Sequence, residues 1–207
     1  MSNYFIEKLT QALQNPLPGK DTQMSMMVQP QTQLKTIDLN KKSIPSAVLL
    51  LLFPIKDDWS FFLTKRTNKV DHHKGQISLP GGAAENNELF EKTALRETFE
   101  EIGIPSDIIN VIGALSSFHI PISGFEIFPF IGWVDHEPKT SIQENEVQKV
   151  FSISLRELMS EKSLKTKKSE LRGTSVNIPY FHLCDEIVWG ATSMILAEFK
   201  AIIKEIQ

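Results

Sequence analysis

The sequence predicts an α+β or α/β sandwich built around a mixed β-sheet. Strand-like runs recur along the chain, interleaved with few helical stretches. Two of the strands sit back to back as a hairpin near the start, and one helix, over 88–102, has a strong amphipathic pattern with a marked end.

Phe5, Leu9 and Leu13 recur at helical spacing, which predicts a short helix over 3–14, ended by Pro16-Leu17-Pro18-Gly19. Residues 19–43 are polar with scattered Met and Gln and read as an irregular arm, open to use as a dimer contact or a lid. Residues 47–53, rich in Val and Leu, predict a buried strand. Asp57-Asp58 marks a turn, and 59–65 is its hairpin partner. A polar loop with two histidines covers 68–76. A short strand follows over 77–79, and Pro80-Gly81-Gly82 reads as a tight turn. The helix over 88–102 ends at Gly103, where a left-handed cap glycine belongs, with Pro105 just beyond. Further strands are expected over 109–117, 127–134 and 150–153, and further helices over 155–160 and 193–206, the last with a core stripe of Ile195, Phe199 and Ile202. Trp189-Gly190-Ala191-Thr192 opens that last helix and reads as a packing motif. The organisation expected is an N-terminal helix and arm over 1–43 and one main domain over 44–207.

Composition narrows the function classes. A net charge of −3 over 207 residues argues against a general binder of nucleic acid or of a membrane surface. A small phosphorylated substrate, held by one or two local cations, fits that charge. The one cysteine, Cys184, excludes an intrachain disulfide and a multi-cysteine zinc site, and reads as a small buried hydrophobe rather than a nucleophile. The N-terminus has mixed charge and no apolar signal core, and the longest apolar run, 47–54, is too short to span a bilayer. The expectation is a soluble cytoplasmic protein.

The helix over 88–102 carries the chemistry. At about 100° per residue, Leu95, Phe99 and Ile102 share a face expected to be core, and Glu97, Glu100 and Glu101 share another. Like charges at this spacing repel by a few tenths of a kcal/mol each, and the helix dipole disfavours anions near its C-terminus. Arg96 is the one cation within the cluster. A hard divalent cation such as Mg²⁺ or Mn²⁺ would turn that repulsion into binding energy. The glycines at 81 and 82 let backbone approach a ligand closely, as a second wall of a metal–phosphate site.

Spacing adds a specific pattern. Gly82, Glu88, Arg96, Glu97, Thr98, Glu100, Glu101, Gly103 and Ile104 fall on nine constrained positions across 23 residues. This resembles the Nudix box, G-x5-E-x7-R-E-U-x-E-E-x-G-U, with Thr98 where a larger aliphatic residue is usual. The resemblance implies an α/β/α sandwich with a loop–helix–loop box, and metal-dependent hydrolysis of a nucleoside diphosphate linked to another moiety. It implies Glu97, Glu100 and Glu101, with the Gly81 carbonyl, as metal ligands, and Arg96 as the group that orients Glu97. Glu88 is expected to be a structural partner of Arg96. The general base is left between Glu97 and a carboxylate outside the box, for which Glu146 is the candidate.

Upstream residues point to a subgroup. Leu63-Thr64-Lys65-Arg66-Thr67, Gly75 and Leu79-Pro80-Gly81-Gly82 resemble the signature of coenzyme A pyrophosphatases, L-L-T-x-R-S-x3-R-x3-G-x3-F-P-G-G. Ile120-Pro121-Ile122-Ser123, Asn145-Glu146-Val147 and Trp189-Gly190-Ala191-Thr192 are similar to that group too, so the resemblance covers about 45–200. It implies cleavage of coenzyme A or acyl-CoA to 4′-phosphopantetheine, or its acyl form, and adenosine 3′,5′-bisphosphate. Arg66, Lys65, His73, Lys74 and Gly82 are the expected substrate contacts. Asp71 and Leu79 depart from the signature, where Arg and Phe stand, and keep ADP-ribose, a dinucleotide or a nucleoside triphosphate open as substrates. A Nudix-fold binding module without catalysis is the remaining alternative, and the intact glutamate set speaks against it.

Overall fold

The computed structural model describes residues 2–29, 43–67, 75–121, 123–171 and 174–207. Its centre is strand β1 (Ile44–Ile55), paired with β2 (Asp58–Arg66) in an antiparallel hairpin and with β7 (Phe125–Trp133) in parallel. The short strands β3 (Ile77–Ser78) and β4 (Gly81–Ala83) flank β2 and β1. β5 (Asn110–Ala114) and β6 (Phe118–Ile120) pair with β7, and β8 (Val147–Ser154) pairs with β2. The result is an eight-stranded mixed sheet, as the alternation of strands and helices predicted.

Side chains of β1 alternate between two cores, because successive residues of a strand face opposite sides. Ala47, Leu49, Leu51 and Phe53 pack under helix α3 (Phe90–Ile102) with Ala94, Leu95 and Ile102. Leu50 and Leu52 face the other way, toward α1 (Ser2–Ala12) and α5 (Ala191–Ile206), where they meet Ile6, Leu9, Ile195, Phe199 and Ile202. Burial on both faces explains why β1 reads as a continuous apolar run. The three layers are the α/β/α sandwich. Stacked rings of Phe90 and Phe128, with centroids 4.0 Å apart, pin the start of α3 to β7.

Several expectations are corrected. The arm is not irregular throughout: α2 (Gly19–Met24) is helical and Met26 is in the core; residues 30–42 lie outside the described set. Gly81–Ala83 is a strand rather than a tight turn, because β1 extends far enough to pair with it. Phe99 is 54% exposed. The buried arc of α3 is centred on Ala94, Leu95, Thr98 and Ile102, and Thr98 satisfies its hydroxyl by donating to the Ala94 carbonyl at 2.7 Å. Cys184 is exposed, since it lies with Asp185 in a two-residue hairpin turn where both residues have positive φ.

That hairpin belongs to a second sheet that periodicity did not predict, made of β9 (Leu164–Leu171), β10 (Thr174–Leu183) and β11 (Glu186–Val188). Phe181, Leu183 and Val188 pack it against the α5 core. The helix α4 (Leu155–Met159) follows β8. Trp189-Gly190-Ala191-Thr192 does start α5, and Thr192 Oγ1 donates to the Ile77 carbonyl at 3.2 Å, docking the helix on β3.

A buried carboxylate fastens α2 to α5, and Lys8 Nζ of α1 donates to the Ile206 carbonyl at 3.0 Å. Glu198 accepts from the Gly19 N–H at 3.1 Å, from Gln23 Nε2 at 2.8 Å and from the Ser116 N–H at 3.3 Å. Replacing it with an apolar side chain would take the acceptor from the Gly19 and Ser116 N–H groups and leave Gln23 Nε2 only the Ser116 carbonyl, at 2.8 Å. Glu198→Leu is expected to lose about 3 kcal/mol or more in urea unfolding.

Candidate active site

The site forms where α3 ends beside β4, the start of the 141–147 segment and the end of β2. The three glutamates of helix α3 differ in exposure. Glu101 flanks the buried arc and is 2% exposed, Glu97 is 15% exposed and Glu100 is 53% exposed. Gly103 closes the helix in the left-handed conformation (φ 73°), and its N–H donates to the Phe99 carbonyl.

Arg96 organises the outer part. Its guanidinium donates to Glu88 through Nε (2.9 Å) and Nη2 (3.1 Å), and through Nη1 to Glu97 (2.8 Å) and Glu100 (2.9 Å). Glu88 also accepts from Thr93 Oγ1 and from the Glu85 N–H. The Arg96 hydrogen bonds hold the Glu88 carboxyl well below the usual range, at about 2. Glu88 therefore stands as the structural partner of Arg96 that the spacing implied.

Two glycines make room for the carboxylates. A side chain on Gly81 would strike the Ala47 carbonyl and the Val48 backbone, and one on Gly82 would strike the Glu97 carboxylate itself. With no Cβ there, Glu97 lies against β4 and Glu101 lies beside the Gly81 N–H. The Glu101 carboxyl is pushed up to about 8, chiefly by burial; Arg66 and the Gly81 N–H oppose the shift, and Glu97 and Glu146 add to it. Burial raises Glu97 as well, against the pull of Arg96.

Arg66 reaches the site from the end of β2, with Nη1 3.5 Å from Glu101 Oε1. Glu146 reaches it from the segment before β8; its carbonyl accepts from the Thr67 N–H at 2.9 Å, and its charge acts on both Glu97 and Glu101. Lys65 is not brought in. It is one residue earlier on the strand, and its ammonium pairs with Glu186 of β11 at 2.7 Å. Glu186 carries no sequence signal that could have identified it. His73 and Lys74 lie outside the described residues, as does Asp71. Leu79 is buried in the core, so this departure from the signature changes packing and not a surface.

The donor set fits a divalent cation. Glu101 Oε2 is buried and has no hydrogen-bond partner, the kind of atom a hard cation satisfies, and all the nearby donors are oxygens. Among the described residues, no three acidic or imidazole groups already converge on one point. Arg96 draws Glu97 and Glu100 toward itself, so loading asks those two side chains to turn.

A family model for the NUDIX domain matches residues 43–172, which contain this whole constellation. The chain belongs to the Nudix family. It is 32% identical over 171 residues to Nudix hydrolase 15, mitochondrial, of Arabidopsis thaliana, a match that covers 77% of this chain and 59% of that protein. It is 34% identical over 121 residues to Nudix hydrolase 3 of Caenorhabditis elegans, covering 57% of this chain and 50% of the relative. The chain thus spans 59% and 50% of the length of these two. An uncharacterized Nudix hydrolase NudL of Photorhabdus laumondii is 30% identical over 153 residues, covering 72% of this chain and 80% of the relative. A solved MutT/nudix family protein from Enterococcus faecalis shares the Nudix fold, with a TM-score of 0.55 and 20% identity over 98% of this chain and 73% of that one. No helix among the described residues is long and apolar enough to cross a membrane.

Two expectations follow from the geometry. Gly82→Ala should keep the fold and displace Glu97, weakening Mn²⁺ binding on the order of tenfold or more by titration, whereas Gly81→Ala should cost at least about 2 kcal/mol in urea unfolding. The depressed Glu88 carboxyl stabilises the fold fully above its unfolded value of 4.5, and that contribution is lost as pH falls through about 2. The stability gap between the natural protein and Glu88→Gln should therefore be widest at neutral pH and narrow from pH 4.5 toward 2.

Proposed function

We propose that this Nudix protein is a divalent-metal-dependent pyrophosphohydrolase acting on a nucleoside diphosphate derivative, and that the derivative is coenzyme A or an acyl-CoA. The observation that carries the reading is the buried, half-unpartnered carboxylate of Glu101 at the end of α3, flanked by Glu97 and Glu100 and walled by Gly81 and Gly82. Glu97, Glu100, Glu101 and the Gly81 carbonyl would hold Mg²⁺ or Mn²⁺. When bound, the ion supplies charge that polarises the phosphoryl oxygens and acidifies water.

The chain's own groups divide the remaining work. Arg96 is bonded to Glu97 at 2.8 Å and would limit how far that carboxylate turns toward the cation. Arg66 faces the cluster from β2, 3.5 Å from Glu101, and would meet a phosphate oxygen there. Glu146 takes the proton of the attacking water: it is exposed at the mouth of the site, while Glu97 is tied to Arg96 and lies against Gly82. The water oxygen joins one phosphorus, the bond from that phosphorus to the bridging oxygen breaks, and the bridging oxygen leaves on the other phosphate. From coenzyme A this gives 4′-phosphopantetheine and adenosine 3′,5′-bisphosphate. The signature residues from Leu63 to Gly82 favour this substrate, and the burial of Leu79 removes one of the two departures as an objection. Asp71 favours the second reading, in which ADP-ribose or a dinucleotide replaces coenzyme A.

Incubation with coenzyme A and Mg²⁺ or Mn²⁺ should yield adenosine 3′,5′-bisphosphate by chromatography, with none in EDTA. Turnover of ADP-ribose or a dinucleotide alone would favour the second reading, and turnover of nothing would leave a binding module. Glu101→Gln should lower kcat on the order of 10² or more. Glu146→Gln should lower kcat on the order of 10² with KM little changed.

A further inference from the structure

Gly103 has a second constraint besides its backbone angle. A φ of 73° favours glycine, yet asparagine tolerates it too. A Cβ at this position, however, would lie 2.9 Å from the Ser141 Cβ, 3.0 Å from its carbonyl oxygen and 3.2 Å from its nitrogen. Two of those three atoms are backbone, which cannot swing aside as the tip of a long side chain can.

The Ser141 backbone is there because α3 holds it. The last carbonyls of a helix have no partner within the helix. Here the Ser141 N–H donates to the Ile102 carbonyl at 2.8 Å and the Gln143 N–H to the Glu101 carbonyl at 3.1 Å. The Gln143 carbonyl then accepts from the N–H groups of Glu146 (2.9 Å) and Val147 (2.8 Å), and the Glu146 carbonyl accepts from Thr67. A continuous backbone path runs from the end of α3 to the main chain of Glu146. It ends where β8 meets β2 at an irregular register next to Arg66.

We propose that Gly103 is a positioning residue for Glu146: its missing side chain lets the 141–147 segment seat on the end of α3, and that segment holds Glu146 opposite Glu97 and Glu101. The inference rests on the reading of Glu146 as the proton acceptor. It adds a specific consequence. The carboxylates of α3 stay on the helix when the segment shifts, so cation binding persists while turnover falls.

The test is Gly103→Asn, which accepts the backbone angle and violates only the space, made in the natural background and in Glu146→Gln. Ser141→Pro, which removes the N–H to Ile102 and leaves Gly103 in place, is the parallel variant if the asparagine protein folds poorly. Mn²⁺ affinity is read by electron paramagnetic resonance, and kcat and KM by product formation. The expected result is Mn²⁺ affinity within about twofold, KM little changed and kcat lowered about tenfold in the natural background, with less than about twofold further loss in Glu146→Gln. Equal loss of kcat in both backgrounds, or loss of Mn²⁺ affinity in step with kcat, overturns the positioning role while leaving Glu146 as base. Full activity of Glu146→Gln alone overturns the reading of Glu146 and this proposal with it.

Discussion

The structure depends on holding one carboxylate out of water. Glu101 sits at the end of α3, against the dipole of its own helix and beside two other glutamates, with one oxygen unpartnered. Burial pushes its proton affinity up to about 8. What surrounds it moderates that cost: Arg66 from β2, the Gly81 N–H from β4, and Arg96, which absorbs the charge of Glu88, Glu97 and Glu100. Such a site favours protons and hard cations alike, which is the chemical basis of the metal reading.

The fold supplies the rigidity that this arrangement needs. β1 buries both faces, and its alternation sends one set of side chains under α3 and the other under α5. The same strand pairs with β4, which fixes Gly81 and Gly82 against the glutamates, and with β2, which carries Arg66. A shift of β1 by one residue would exchange its two faces and disconnect the site from its core. Glu198 and the aromatic contact of Phe5 with Trp59 tie the N-terminal helices to that frame, so α1 and α2 share its core.

Much was legible along the chain because it is local. The box helix, its glycine end, the β1–β2 hairpin and the terminal helix each lie within one stretch, and their patterns follow helix or strand periodicity. What local spacing does not carry depends on distant segments. Spacing alone puts Phe99 in the core, but the sheet meets α3 on a slightly different arc. The helix over 19–24 depends on Glu198, about 175 residues away, and not on its own pattern. The β9–β11 sheet is hidden by the lysines of β9 and by a turn of Cys184 and Asp185 in place of glycine.

The sequence alone carries the family and the carboxylates proposed as metal ligands, because the box is a contiguous run whose spacing encodes which side chains share a helix face. It also determined the partnership of Arg96 and Glu88, eight residues apart on that run. Packing between distant segments makes Glu101 the buried member of the three, turns Arg66 and not Lys65 toward it, and bonds the segment that carries Glu146 to the end of α3. Those facts depend on which strand lies beside which helix, and burial and contacts between distant segments are properties of packing that no local spacing contains.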